Sequence, residues 1–215
     1  FVMSISAVSA QEKYNVDVSI IAPASEIQVM RQINLLQDQI TRDIDALLVS
    51  PIRPSATNSV LDQVNKSGIP VILIDTDINW SKKTSFVGTG NYEAAKKAGE
   101  YIKEKLRGEG KIVIIRGAMG DYNHDERKRG FKDGIKGSNL KVATVQPADS
   151  ERGKALMVMQ NILQVHPFID AVYATNDEMA LGASRAIKSS NISKKIAVMG
   201  FDGSPDALKS ILKDE

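Results

Sequence analysis

Residues 170–181 read D-A-V-Y-A-T-N-D-E-M-A-L, an apolar run that closes on the side-chain amide of Asn176 and the carboxylate of Asp177. The run predicts a buried strand at 171–175 and, after the polar pair, a helix at 178–189. Polar groups are thus delivered to a strand's carboxyl end. In an open parallel α/β sheet, ligands bind at that edge: its loops form a crevice, and the helix N-termini beyond it offer N–H groups. Two other stretches repeat the arrangement. I-P-V-I-L-I-D-T-D is apolar up to Ile74 and then presents Asp75; I-A-V-M-G-F-D-G-S-P presents Phe201 and Asp202 ahead of a helix that Ser204 and Pro205 start. No nucleophile accompanies these groups, so the pattern reads as a pocket for a neutral ligand with many hydroxyls.

The same alternation runs along the whole chain. Strands are predicted at 16–22, 46–50, 71–75, 85–88, 111–116, 141–146, 171–175 and 196–201. Helices are predicted between them at 25–42, 55–67, 92–107, 126–136, 150–166, 178–189 and 205–213, the first with a capping box of Ser25 and Gln28. Strand-helix repetition of this kind implies parallel sheets with helices on both faces and right-handed crossovers. The polar stretch D-I-N-W-S-K-K-T and the short S-F-V-G-T-G-N that follows it mark a seam between Thr76 and Asn91. The expectation is two lobes, residues 1–89 and 90–215, with a cleft between them. The opening F-V-M-S-I-S-A-V-S-A-Q-E fits the tail of a cleaved leader, by its small-x-small ending, or an amphipathic helix with Val2, Ile5 and Val8 on one side. The lack of a basic segment favours the helix.

Composition narrows the function classes. A net charge of +2, from 28 basic and 26 acidic residues in 215, gives no electrostatic case for nucleic acid. Cysteine is absent, which removes disulfides, thiolate catalysis and zinc-thiolate sites. No run of 18 apolar residues exists to insert into a membrane as a helix. G-E-G-K at 108–111 resembles the end of a phosphate loop, but Ile112 stands where Ser or Thr is needed; G-T-G at 88–90 lacks the third glycine of a dinucleotide fingerprint. His124 and His166 stand apart from other metal ligands, so neither a metal nor a cofactor is expected. Asp75 and Asp202 could form a glycosidase carboxylate pair only if one pKa were raised, and nothing in the sequence argues for that.

Seven pieces in order, V-I-L-I-D, F-V-G-T-G-N-Y-E-A, E-R-K-R-G-F, Q-P-A-D-S-E-R, V-M-Q-N-I-L, A-T-N-D-E-M-A-L-G-A and G-F-D-G-S-P, cover almost the whole chain. Together they resemble the bacterial ribose-binding group of sugar-binding solute receptors. The resemblance implies a type I periplasmic binding protein, a two-lobed Venus-flytrap that clamps a monosaccharide in its cleft. It also implies a location in the periplasm or anchored at the cell surface, and hand-over to an ABC-type importer permease, in some members also to a chemoreceptor. It further implies a first strand before Phe1 and a last hinge crossing and final strands after Glu215. The effector domain of a LacI-type repressor shares the fold and the N-D-x-x-A-x-G and G-F-D signatures, and remains the alternative; Q-P-A-D-x-x-R and V-M-Q-N-I-L favour the receptor.

By position, the resemblance places ligand groups at Asp75, Thr89, Arg127, Asn176, Phe201 and Asp202, with Asn123, one helical turn before Arg127, as a further candidate. Carboxylates that accept and Arg or Asn groups that donate suit vicinal hydroxyls, and an aromatic face suits the C–H side of a sugar ring. Spacing alone would put Arg127, in E-R-K-R, on a solvated helix face; the R-x-x-G-F pattern makes it a ligand group. Asp177 is expected to cap the helix and leave the ligand to Asn176. Trp80, in a polar loop, reads either as a lid over the cleft or as a side chain packed against neighbouring stems, the second being favoured. Ser150 stands where ribose binders carry an aromatic, and Thr76 where they carry Arg, which argues against ribose itself.

Overall fold

The computed structural model describes residues 9–213, with 12, 26 and 191 excepted. The predicted N-terminal helix positions Val2, Ile5 and Val8 lie outside that set. In chain order the elements are α1 (Val29–Ile40), β1 (Leu47–Val49), α2 (Pro54–Lys66), β2 (Val71–Ile74), β3 (Ser85–Val87), α3 (Asn91–Lys105), β4 (Glu109–Arg116), α4 (Tyr122–Gly134), β5 (Asn139–Pro147), α5 (Arg152–Val165), β6 (Ala171–Ala174), α6 (Asp177–Lys188), β7 (Ala197–Met199) and α7 (Pro205–Leu212). Two parallel sheets result, one ordered β1-β2-β3 and one ordered β5-β4-β6-β7.

The second sheet shows why an unbroken apolar run becomes a central strand. Ile112 and Ile114 of β4, with Ala171 and Tyr173 of β6, pack against Ala95 and Ile102 of α3 and Phe131 of α4. The intervening Val113, Ile115, Val172 and Ala174 pack on the other face against Ala155 and Met159 of α5 and Met179 and Ala183 of α6. Period-2 alternation with both faces covered requires apolar residues at every position. Helices α3 and α4 cross so closely that a Cβ on Gly130 would sit 2.1 Å from the Tyr92 carbonyl oxygen, and one on Gly134 2.2 Å from that of Lys96. In the first sheet, Val71 and Leu73 pack under Leu36 of α1 and Val60, Leu61 and Val64 of α2.

Two sequence expectations fail, and one open alternative is decided. Residues 16–22 form no strand, and Val16, Ile20 and Ile21 lie exposed. Alternation supplies a face, but a strand also needs a ladder partner, and β1 pairs only with β2 among the described residues. Helix α1 starts at Val29 without the capping box: the Gln28 side chain instead accepts from the Ala24 amide at 3.0 Å. Trp80 is no lid. It is 6% exposed inside the first core and donates its indole N–H to Asp62 at 2.8 Å.

Candidate functional site

The carboxyl ends of both sheets, with the first two turns of α4, carry the site. Asp121 caps α4 by accepting from the His124 amide at 3.0 Å, so the helix begins a turn earlier than periodicity predicts. Asn123 and Arg127 therefore stand one turn apart on a formed helix. In the first sheet, β2 ends at Ile74 and the chain turns through Asp75, whose φ of 61° lies in the left-handed region; its amide donates to the Val87 carbonyl at 2.9 Å.

A run of hydrogen bonds joins the two sheet edges. Asn123 donates to the Asp75 carboxylate at 2.9 Å and to the Thr76 hydroxyl at 3.0 Å. Its own carbonyl accepts from the Asn91 amide at 3.0 Å, and the Asn91 carbonyl accepts from Arg127 Nε at 2.8 Å. Arg127 Nη1 then donates to the Thr175 carbonyl at 2.8 Å and to Asp202 at 3.0 Å, while the guanidinium lies 4.0 Å over the Phe201 ring. Arg127 is buried, so its charge is held by fixed acceptors and an aromatic face. Burial pushes the Asp202 carboxyl above the ordinary range and Asp177 adds to the push, with Arg127 opposing. The side chain still keeps 42% of its surface open, so solvent moderates the effect.

Of the predicted residues, Asp75, Asn123, Arg127, Phe201 and Asp202 are thus brought together. Asn176 lies beside them at the end of β6, but with a second duty. It, and not Asp177, caps α6, accepting from the Met179 amide at 3.0 Å. Asp177 is buried and accepts from the Ser204 amide at 2.6 Å, tying α6 to the turn before α7. The cap uses the Asn176 carbonyl and leaves its NH2 as a donor. Thr89 is exposed and takes no part in the network. Thr76, Asn91, Thr175 and His124 belong to the polar cluster although sequence reasoning did not place them there; the Asn in F-V-G-T-G-N, first residue of α3, was the available signal. A cavity of about 180 Å³ lies at the β5 end, between Ile27, Ile52 and Arg53 on one side and Ala118, Met119, Asp121, Pro147 and Asp149 on the other. None of the predicted ligand residues lines it.

The periplasmic binding protein domain family matches residues 2–215. The chain belongs to that family. Within it, the chain is 41% identical over 181 residues to the ribose import binding protein RbsB of Bacillus subtilis strain 168, covering 84% of this chain and 58% of that protein. It is 33% identical over 211 residues to RbsB of Escherichia coli K12, covering 98% of this chain and 71% of that one. Among solved structures, the Caulobacter myo-inositol binding protein bound to myo-inositol superposes with a TM-score of 0.92 at 28% identity, covering 100% of this chain and 74% of that one. The chain therefore spans between about three fifths and three quarters of these binding-protein relatives.

Proposed function

We propose that this chain is the greater part of an extracytoplasmic solute-binding protein that captures a monosaccharide or cyclic polyol and delivers it to an ABC-type importer. On this reading it works in the periplasm or at the cell surface, and residues 1–89 and 90–215 act as the two lobes. The observation that carries the reading is the run from Asp75 through Asn123, Asn91 and Arg127 to Asp202, which brings acceptors and donors from the carboxyl edges of both sheets together. Asp75, Asp202, Arg127 and Asn176 offer charged or amide partners to vicinal hydroxyls, and Phe201 an apolar platform. Four or five charge-assisted bonds, at about 1.5–3 kcal/mol each, leave roughly 8 kcal/mol after ordering costs, near micromolar affinity. The transport proteins among the relatives support this reading over a repressor effector domain. No catalytic step is proposed: the Asp75–Asp202 pair is engaged by Asn123 and Arg127.

A thermal-shift screen of the full-length protein against pentoses, hexoses and cyclitols tests it. A ligand at 100 times Kd should stabilise by about 2.7 kcal/mol. No shift with any of them at millimolar concentration overturns the proposal.

A further inference from the structure

Two Asp-Gly pairs occur in the chain, Asp133-Gly134 and Asp202-Gly203, and the fold treats them differently. In such a pair no side chain shields the glycine nitrogen, which can close a five-membered ring on the aspartate Cγ. The first pair is held away from that geometry. Asp133 and Gly134 close α4, where the helix fixes the backbone, and a Cβ on Gly134 would lie 2.2 Å from the Lys96 carbonyl oxygen, so the segment has no room to turn. Lys136 at 2.7 Å and Tyr92 at 2.6 Å hold the Asp133 carboxyl below its ordinary range, in the ionised form that resists attack by a nitrogen.

The second pair has the opposite surroundings. Asp202 stands just beyond β7 at φ 111° and Gly203 follows at φ 77°. The first of these angles is costly for a residue with a side chain. Both residues are exposed, and apart from its chain neighbours no heavy atom of the described residues lies within 4 Å of where a Cβ on Gly203 would stand. Ser204 is fixed again: its amide donates to Asp177 at 2.6 Å and its hydroxyl accepts from the Ala207 amide at 3.3 Å. The strain is thus confined to the pair itself. Burial, which raises the Asp202 carboxyl, enlarges the share of neutral acid, the form that a nitrogen attacks.

We propose that Asp202-Gly203 is a modification site at which the unliganded protein converts Asp202 to isoaspartate, and that bound ligand suppresses the conversion. The Gly203 nitrogen loses its proton and bonds to Asp202 Cγ, whose hydroxyl leaves as water. The resulting succinimide takes a water back, and opening at the former main-chain carbonyl leaves the chain running through Cβ and Cγ. Water lost equals water regained, and no oxidant or reductant enters. The added methylene in the main chain releases the φ strain. It also moves the carboxylate onto Cα and so withdraws it from Arg127, which now donates to it at 3.0 Å. A ligand hydroxyl on the same carboxylate would hold it, with Arg127, as the anion and away from the Gly203 nitrogen. Only this protection rests on the sugar-binding reading above; the ring closure does not.

The test is peptide mapping of full-length protein aged at mildly acidic pH, with isoaspartate scored by enzymatic methyl transfer. Isoaspartate at residue 202 should exceed that at 133 at least tenfold, and the fraction of molecules able to bind ligand should fall in step with it. Saturation with the best monosaccharide or cyclitol of the panel should slow the conversion at least threefold. In urea the two pairs should react at similar rates, which assigns the difference to the fold. Equal conversion of the two pairs in the folded protein, or none at 202, overturns the inference while sugar binding stands. Conversion at 202 that saturating ligand does not slow overturns the protection. Should no member of the panel bind, the sugar-binding reading falls, and the unliganded map still decides the site.

Discussion

Asn123 of α4 donates to the Asp75 carboxylate at 2.9 Å across 48 residues of sequence, and so couples the carboxyl edge of one sheet to that of the other. In this arrangement the two edges present their polar groups to each other. The amide also fixes Thr76, and Asn91 fixes the amide in turn.

Asn123→Ala should therefore weaken ligand binding by about tenfold, because Asp75 and Thr76 lose the amide that holds them in place for a ligand. Stability should change by less, because the deletion exposes Asp75 to water at the mouth of a crevice. Calorimetric titration beside urea unfolding checks both; affinity within twofold of wild type removes Asn123 from the site.

The two roles of Asn176 can be separated. Asn176→Asp keeps an oxygen for the Met179 amide and adds charge at a helix N-terminus, so stability should hold within about 0.5 kcal/mol. It loses the NH2 donor, and sugar affinity should fall tenfold or more. Asn176→Ala should lose both the affinity and about 1 kcal/mol of stability. Asp177→Ala should cost roughly 1–3 kcal/mol through the buried Ser204 amide it deprives of an acceptor, and leave binding by the folded protein nearly unchanged. Equal affinity losses at both positions would contradict this division.

Much of the fold is legible because burial writes itself into residue type. Ile112 to Ile115 and Ala171 to Ala174 are apolar at every position, and both segments are strands covered on both faces. What fails depends on partners that local sequence does not name. The alternation at 16–22 is as good as any, yet without a ladder it stays out of the sheet. Asn176 and Asp177 are both good capping residues, and backbone geometry decides between them. Trp80 could be read as packed, but its partner could not be named, because Asp62 is 18 residues away. Five of the seven predicted ligand residues do converge: Asp75, Phe201 and Asp202 because strand ends are legible, Asn123 and Arg127 on α4 only through the resemblance; Thr89 does not, since its loop turns it to solvent.

His124 should make stability depend on pH. Burial first, then Arg127 and Arg116, hold its folded pKa down to about 4 against an ordinary value of 6.5. Between those values the unfolded chain binds the proton and the folded one does not, so stability is fully present above about pH 6.5 and is lost as pH falls toward 4. The whole window is worth about 3 kcal/mol, and about 2 kcal/mol of it is gone by pH 5. Asp121, whose carboxyl burial raises, titrates in the opposite sense at the acid end. Comparing urea unfolding of the wild type and His124→Gln at pH 7.5 and 5 isolates the histidine: the wild type should lose more than the variant, and equal losses would show that His124 is not held neutral.

Closure is the most direct test of the whole account. Asp75 comes from the first sheet's edge, and Arg127, Asn176 and Asp202 from the second's, so a ligand held by all of them favours the state that brings the edges together. Groups from one edge alone would give no such preference. Small-angle scattering from the full-length protein should show a smaller radius of gyration at saturating ligand than without it. An unchanged profile at saturation would contradict the placing of these residues across a common cleft.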